Sequence, residues 1–421
     1  AALKICQNHS SVTSAVNEYN WQIEHQCPQC GAPAILEETD RIFLCPYCRT
    51  KLYLIPNDYF RYFIAPADAT SREIIYIPYW RLKGLSFSIQ HSEVSHRFVD
   101  TNILALTFPG VPSSLGLRPQ VFRLKFASPE ISGTFFNPQI SVREVMDHFG
   151  APDPLSIYHT FIGETVNLIY SPMYLENNVL YDSILKRPVY TLETGDSENL
   201  MASRASSRGN ISFISTLCPQ CGWDLQGEKD AVVLICRNCD SAWSCRGNAF
   251  TNVAYAIMAN GESVSHYLPF WRMRARIEGI RLESYGDLIR AGNLPKAITR
   301  TFEETPLYFW CPAFKVNPAL FLRWARQMTV SQPEEKSREL SQGMSLYPAT
   351  LPISEAEESI MITIADIITV KRIIPLLPEI RIHVNEFLLV YHPFTSRQSE
   401  LVHATMKLSI DKRSLAYGIC L

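Results

Sequence analysis

CPQCGAPAILEETDRIFLCPYC, residues 27–48, returns at residues 218–239 as CPQCGWDLQGEKDAVVLICRNC. Both stretches read C-x2-C-x14-C-x2-C. Cys27, Cys30, Cys45 and Cys48 therefore stand 191 positions (218−27) before Cys218, Cys221, Cys236 and Cys239. Thiolates at this spacing are metal ligands first, because two tight turns each present a sulfur pair and four sulfurs close a tetrahedral shell. Such a shell suits zinc best and leaves no position for water or substrate, so a structural role is expected. One Zn2+ per quartet, two in all, is the expected complement, with iron as the alternative. Pro28 and Pro219 stiffen the turns, and Gly31 and Gly222 let backbone N–H groups approach sulfur.

The offset of 191 holds beyond the cysteines: Tyr76 matches Tyr267, Pro78 matches Pro269, Trp80 matches Trp271 and Arg81 matches Arg272. A unit duplicated whole explains this register. Runs rich in Val, Ile, Leu and Phe at 41–44, 51–55 and 231–235 predict strands that make each quartet a clamped β-ribbon. Aromatic strands are expected over 74–81 and 264–272, each followed by a further strand at 82–89 or 273–280, and the internal proline demands an edge or a bulge because it gives the ladder no donor. In the second copy, 255–259 followed by Asn260-Gly261 signals a hairpin into the Pro269 strand. A weaker echo pairs Tyr170-Ser171-Pro172 with Tyr391-His392-Pro393 at an offset of 221 (391−170), each leading to a further strand at 179–185 or 401–410. About 30 extra residues in the second copy are therefore expected, and the polar stretch 331–358 is their predicted place, as a surface loop or flexible insertion. Helices are predicted over 142–149, 317–328 and 355–370.

The expected fold is β-rich α+β: a tandem duplication of a ribbon plus a mainly antiparallel β body with a few helices. The expected divisions are an N-terminal segment at 1–26, ribbon 1 at 27–55, β-rich domain 1 at 56–194, a Ser-rich linker at 195–214, ribbon 2 at 215–247 and β-rich domain 2 at 248–421.

The quartets resemble the zinc-ribbon superfamily. The ribbon followed by a Tyr-x-Pro-aromatic-Trp-Arg strand also resembles a set of bacterial proteins that pair a zinc ribbon with such a β-segment. That resemblance covers roughly 27–90 and 218–280 and implies architecture only, with no activity. The knuckles are also rubredoxin-like, which would imply electron-carrying iron. However, Arg49 and Asp240 stand where both rubredoxin cysteine pairs are followed by glycine.

Composition narrows the functional classes. The 421 residues are 47% hydrophobic and 19% charged, as in a soluble globular protein of two to four domains, and the net charge of −2 does not favour a duplex nucleic-acid binder. The longest apolar run, 360–370, is interrupted by Asp366, so no membrane span is expected. Twelve cysteines, eight of them ligands, suggest reduced thiols and a cytoplasmic protein, and no leader peptide is visible. Walker, G-x-G-x-x-G, G-x-S-x-G and H-x-x-x-H patterns are absent. Cys245 reads as a packed thiol rather than a replacement ligand.

Two features could meet a partner. Trp80, Arg81, Trp271 and Arg272 could form aromatic docking edges, though large aromatics mostly bury. Arg272, Arg274 and Arg276 alternate along one strand and could meet phosphate, nucleic acid or an acidic protein, or form an ordinary solvated face. The leading expectation is a non-enzymatic scaffold or assembly subunit that binds protein partners. Nucleic-acid binding and electron transfer are the alternatives.

Overall fold

The computed structural model describes residues 21–418 apart from 57, 68–71, 92, 109, 117–118, 120–121, 151–155, 194–210, 260–265, 335–336, 339 and 341–343. Most of the expected N-terminal segment, most of the linker and the Asn260-Gly261 turn lie outside the described residues. The first half runs β1 (Gln22–Gln26), β2 (Pro33–Glu37), β3 (Ile42–Leu44), β4 (Lys51–Pro56), β5 (Phe60–Ile64), β6 (Ile74–Ile89), β7 (Val94–Leu104), β8 (Leu124–Phe126), β9 (Thr134–Phe135), α1 (Val142–Gly150), β10 (Tyr158–Glu176), β11 (Val179–Asp182) and β12 (Arg187–Thr191). The second begins β13 (Ile211–Ser215), β14 (Val233–Cys236), β15 (Ser241–Arg246), β16 (Ala249–Val253), β17 (Tyr255–Met258), β18 (His266–Glu278), α2 (Tyr285–Gly292), α3 (Arg300–Glu304), β19 (Phe309–Pro312) and α4 (Pro318–Ser331). It ends β20 (Ser337–Arg338), β21 (Ser345–Leu346), α5 (Ile353–Ile368), α6 (Val370–Ile373), β22 (Arg381–Arg397), β23 (Glu400–His403), β24 (Ser409–Asp411) and α7 (Lys412–Tyr417). The fold is β-rich α+β, as expected.

Each half is built on one long antiparallel pair, β6 with β10 and β18 with β22, in which Pro78 faces Tyr170 and Pro269 faces Tyr391. The outer side of β10 carries β5 in parallel and β11 in antiparallel, and β22 carries β17 and β23 in the same way. The expected β17–β18 hairpin is thus corrected, because β22 lies between them: β17 is parallel to β22 and antiparallel to β20. On its other side β6 meets β9 in parallel and then β7, while β18 meets β21 and then β19. The two prolines sit in the gap between those successive neighbours. There Pro78 needs only its carbonyl, which accepts Ala105 N–H (3.0 Å), and Pro269 accepts Ala313 N–H in the same way (3.0 Å). A proline is tolerated inside the sheet at that break because no ladder donor is called for.

These equivalences relocate the extra length of the second copy. The offset rises from 191 to 208 (313−105) between the tryptophans and the alanines, then to 211 (351−140) and 221 (391−170). The additions are mainly α2–α3, absent from the sequence reading, and the longer α5 with α6. The stretch predicted as an insertion carries β20 and β21, which have counterparts β8 and β9. The expected helices at 142–149, 317–328 and 355–370 are present. Asn317 caps α4 (Oδ1 to Ala319 N–H, 2.9 Å), and Pro318 occupies the first helical position, where its missing N–H costs nothing.

The two halves meet in the second half's core. Leu85, Phe87, Ile89 and Ile162 of the first half pack in the cluster that holds Trp271, Phe321, Ile360 and Ile364 of the second. Thr160 Oγ1 donates to Glu358 Oε2 (2.5 Å) across the same junction. The last residues of the expected linker, 211–214, belong to β13. That strand pairs with β4 of the first ribbon from Ile211 opposite Pro56 to Ser215 opposite Leu52. No helix is long and apolar enough to cross a membrane among the described residues.

Candidate metal centres and the arginine strand

In the first quartet Cys27 and Cys48 Sγ are 3.7 Å apart, as are Cys30 and Cys45 Sγ. In the second, the corresponding separations are 3.6 Å (Cys218–Cys239) and 3.5 Å (Cys221–Cys236). All four sulfurs of each set lie within 4.8 Å of one another. A tetrahedron with metal–sulfur bonds of about 2.3 Å has edges of about 3.8 Å, so both sets are sized for a metal ion. Each centre has two buried ligands (Cys27 and Cys45; Cys218 and Cys236), and the remaining four are more exposed.

The knuckles owe their shape to left-handed residues. Gly31 and Gly222 have φ of 73°, and their N–H groups return to the carbonyls of Cys27 and Cys218 (both 2.8 Å). A Cβ at either glycine would touch nothing within 4 Å, so the glycine answers a backbone need and not a space need. Arg49 (φ 61°) and Asp240 (φ 50°) take the same conformation without glycine. Without metal the thiols hold protons unevenly. Cys48 is drawn down to about 6, chiefly by hydrogen bonds from Thr50. Cys30 is pushed up to about 12: Ala32 N–H favours its thiolate, but burial and the other three sulfurs outweigh it. A metal ion resolves this conflict by taking all four as thiolates.

The two ribbons are one unit. Lys229 carbonyl accepts the N–H groups of both Arg41 (2.7 Å) and Ile42 (2.8 Å), and Lys51 Nζ donates to Leu225 O (2.8 Å). Ile42, Tyr53 and Ile55 of ribbon 1 pack with Cys218, Leu225, Leu234 and Cys236 of ribbon 2. The second centre therefore backs onto the ribbon–ribbon core. Cys27 and Cys45 instead face the core of the first β body. Cys245 stands apart from both centres, with Sγ 3.4 Å from Gly247 O.

Three of the proposed docking residues are internal. Trp80 donates to Ile140 O (2.7 Å) and Trp271 to Leu351 O (2.8 Å), equivalent bonds that tie each sheet to the segment entering α1 or α5. Arg81, 2% exposed, donates to Glu38 (3.1 and 3.3 Å), pairs with Asp100 and lies 4.0 Å over the Trp21 ring. All three side chains are buried, on β6 for Trp80 and Arg81 and on β18 for Trp271. Glu38, itself 1% exposed, was not legible in the sequence, where it reads as one polar turn residue among several.

The other three arginines line the far half of β18. Arg272 bonds Glu386 (3.1 Å) and lies over Tyr308 (4.3 Å), Arg276 is 75% exposed beside Glu278, and Arg274 is exposed. Here the halves differ. β7 covers β6 from Tyr79 to Ile89, whereas β19 covers β18 only from Phe270 to Met273. At the next residue, Tyr308, the Gln332 side-chain amide takes both backbone groups, Oε1 accepting the N–H (3.1 Å) and Nε2 donating to the carbonyl (2.6 Å). β19 stops there. Among the described residues no strand pairs with Arg274–Glu278 on that side.

The chain matches no protein-family model, no curated protein and no solved structure.

Proposed function

We propose that this chain is a non-enzymatic interaction protein, held by two structural zinc ions, that adds a partner's strand to the open edge of β18. The observation that carries this reading is the uncovered edge at Arg274–Glu278, which in the first half is filled by β7. An exposed edge with unspent backbone groups is a template for an added strand. The first half also suggests the chemistry of the occupant. β7 runs antiparallel and brings Asp100 opposite Lys83 and into contact with Arg81. Arg274 and Arg276 flank the open edge, so an antiparallel partner with acidic side chains complements it. Zinc is favoured for both centres by the closed four-thiolate set and by the non-glycine residues at Arg49 and Asp240.

The test uses zinc-loaded full chain and fluorescent extended peptides that alternate β-branched residues with Asp, Ser or Lys. The Asp peptide should bind, and should weaken with added salt and in Arg274→Glu/Arg276→Glu. No binding by any peptide, or binding indifferent to those substitutions, overturns the reading. Competition by single-stranded RNA with a steep salt dependence would put nucleic acid in the partner's place. Metal analysis of the same sample separates zinc from iron, and a red four-thiolate ferric centre would favour the electron carrier.

A further inference from the structure

A cavity of about 130 Å³ lies where both ribbons and both β bodies meet. Arg41 and Asp230 reach it from the two ribbons, Thr165 from the first body, and Lys315, Thr350 and Glu355 from the second. Its donors outnumber the uses found for them. Thr165 Oγ1 accepts from Lys315 Nζ (3.1 Å), and Thr350 Oγ1 accepts from Lys315 N–H (3.1 Å). Each hydroxyl therefore keeps its own proton to donate. Arg41 Nη1 is buried with no hydrogen-bond partner among the described residues, while its guanidinium lies 5.1 Å from the Phe60 ring. A buried donor left unpaired is costly, so Arg41 Nη1 calls for an acceptor within the cavity.

We propose that this cavity binds one small oxyanion, a carboxylate or phosphate group, with Arg41 and Lys315 as its charged donors and Thr165 and Thr350 as its hydroxyl donors. This site is separate from the β18 edge and stands whether or not that edge binds a partner. The volume holds on the order of four waters, or one anion of phosphate or short-carboxylate size. Lys83, 4% exposed, is a third cation acting on Lys315. Asp230 and Glu355 offset part of this positive charge and can accept a proton from a hydrogen phosphate or an acid. Burial, the largest influence on Lys315, pushes its amine down to about 8, the direction expected of a cation that gains from a counter-ion. A ligand held by residues from all four units also ties the halves together, so binding raises the stability of the whole chain.

The test is calorimetric titration of the zinc-loaded full chain with inorganic phosphate and, separately, with acetate at constant ionic strength, alongside melting curves. One equivalent of one anion should bind and raise the melting temperature, and the anion that does so identifies the group. Lys315→Met should weaken binding about tenfold or more, and Thr165→Val by a smaller factor, with two metal ions retained in each. Thr165→Val is close in shape to the parent and decides the matter if Lys315→Met does not fold. The absence of saturable binding by either anion, leaving a cavity of water only, overturns the proposal. So does binding unchanged in both variants.

Discussion

Arg81, Glu38, Asp100 and the Trp21 ring form a closed group, and Asn167 Nδ2 adds a hydrogen bond to Glu38 (3.2 Å). Breaking a buried pair from one side strands the other charge. Arg81→Met should therefore cost about 3–5 kcal/mol in urea unfolding, and adding Glu38→Gln should recover part of it. If Arg81 instead served a partner and not the fold, the single substitution would leave stability nearly unchanged. Arg49 presents the opposite case. Its left-handed φ costs an L-residue about 1–2 kcal/mol, partly offset by the greater unfolded-state entropy of glycine. Arg49→Gly should raise stability by roughly 0.5–1 kcal/mol with metal content unchanged; a lower urea midpoint would show that its side chain matters more than its backbone. At this scale the cysteines were fully legible, because spacing alone fixes a knuckle. The burial of Arg81 was not, since its partner Glu38 lies 43 positions away in a turn with no pattern.

Strands and helices were legible where a local rule governed them. The β3 and β4 strands, α1, α4 and α5 follow from period and capping, and the α2 signal was also present as Ser284-x-x-Asp287. There the Ser284 side chain accepts Asp287 N–H while Asp287 accepts Ser284 N–H, closing a capping box. Strand order was not legible, because β17 finds its neighbour β22 more than 120 positions away, which no turn signal encodes. The β22–β23 pair carries an element-level prediction. His392 Nδ1 and His403 Nε2 are 3.1 Å apart, and His403 Nδ1 accepts the N–H groups of Thr405 (3.1 Å) and Met406 (3.0 Å). The His403 proton thus sits on Nε2 and is donated to His392. Burial lowers both residues, His403 to about 4. The unfolded chain takes up protons below its ordinary value near 6.5 and the folded chain does not, so stability falls as pH drops from about 6.5 towards 4. His403 alone accounts for about 2–3 kcal/mol over that span. Urea midpoints at pH 7.5, 6 and 5 should decline, and should decline less steeply in a His392→Phe/His403→Gln variant. A flat wild-type profile would refute the neutral pair.

The whole molecule should unfold as one cooperative body, because Leu85, Phe87, Ile89 and Ile162 of the first half complete the core of the second. The first half expressed as residues 1–193 should expose Leu85, Phe87, Ile89 and Ile162, bind a hydrophobic dye and self-associate, whereas the full chain should do neither. A well-behaved isolated half would mean that the junction is incidental. Metal loss should also propagate unequally. Cys221→Ser should reduce two bound ions to one and lower the melting temperature more than Cys30→Ser, because the second centre backs onto the ribbon–ribbon core. Equal losses, or loss of both ions from one substitution, would contradict that arrangement. The duplication was plain in the sequence, but the joint packing was not, since β13 and the Lys229 carbonyl bind the ribbons through contacts between copies that repetition does not encode. The Gln332 amide bears on how twin halves come to differ. By occupying the backbone of Tyr308, just ahead of the four-residue β19, it leaves a border unsealed on one twin only. Divergence after a duplication is usually sought in residues gained. Here the new opportunity comes from a strand cut short, and a lengthened one at the same place would restore the symmetry and abolish the difference between the twins.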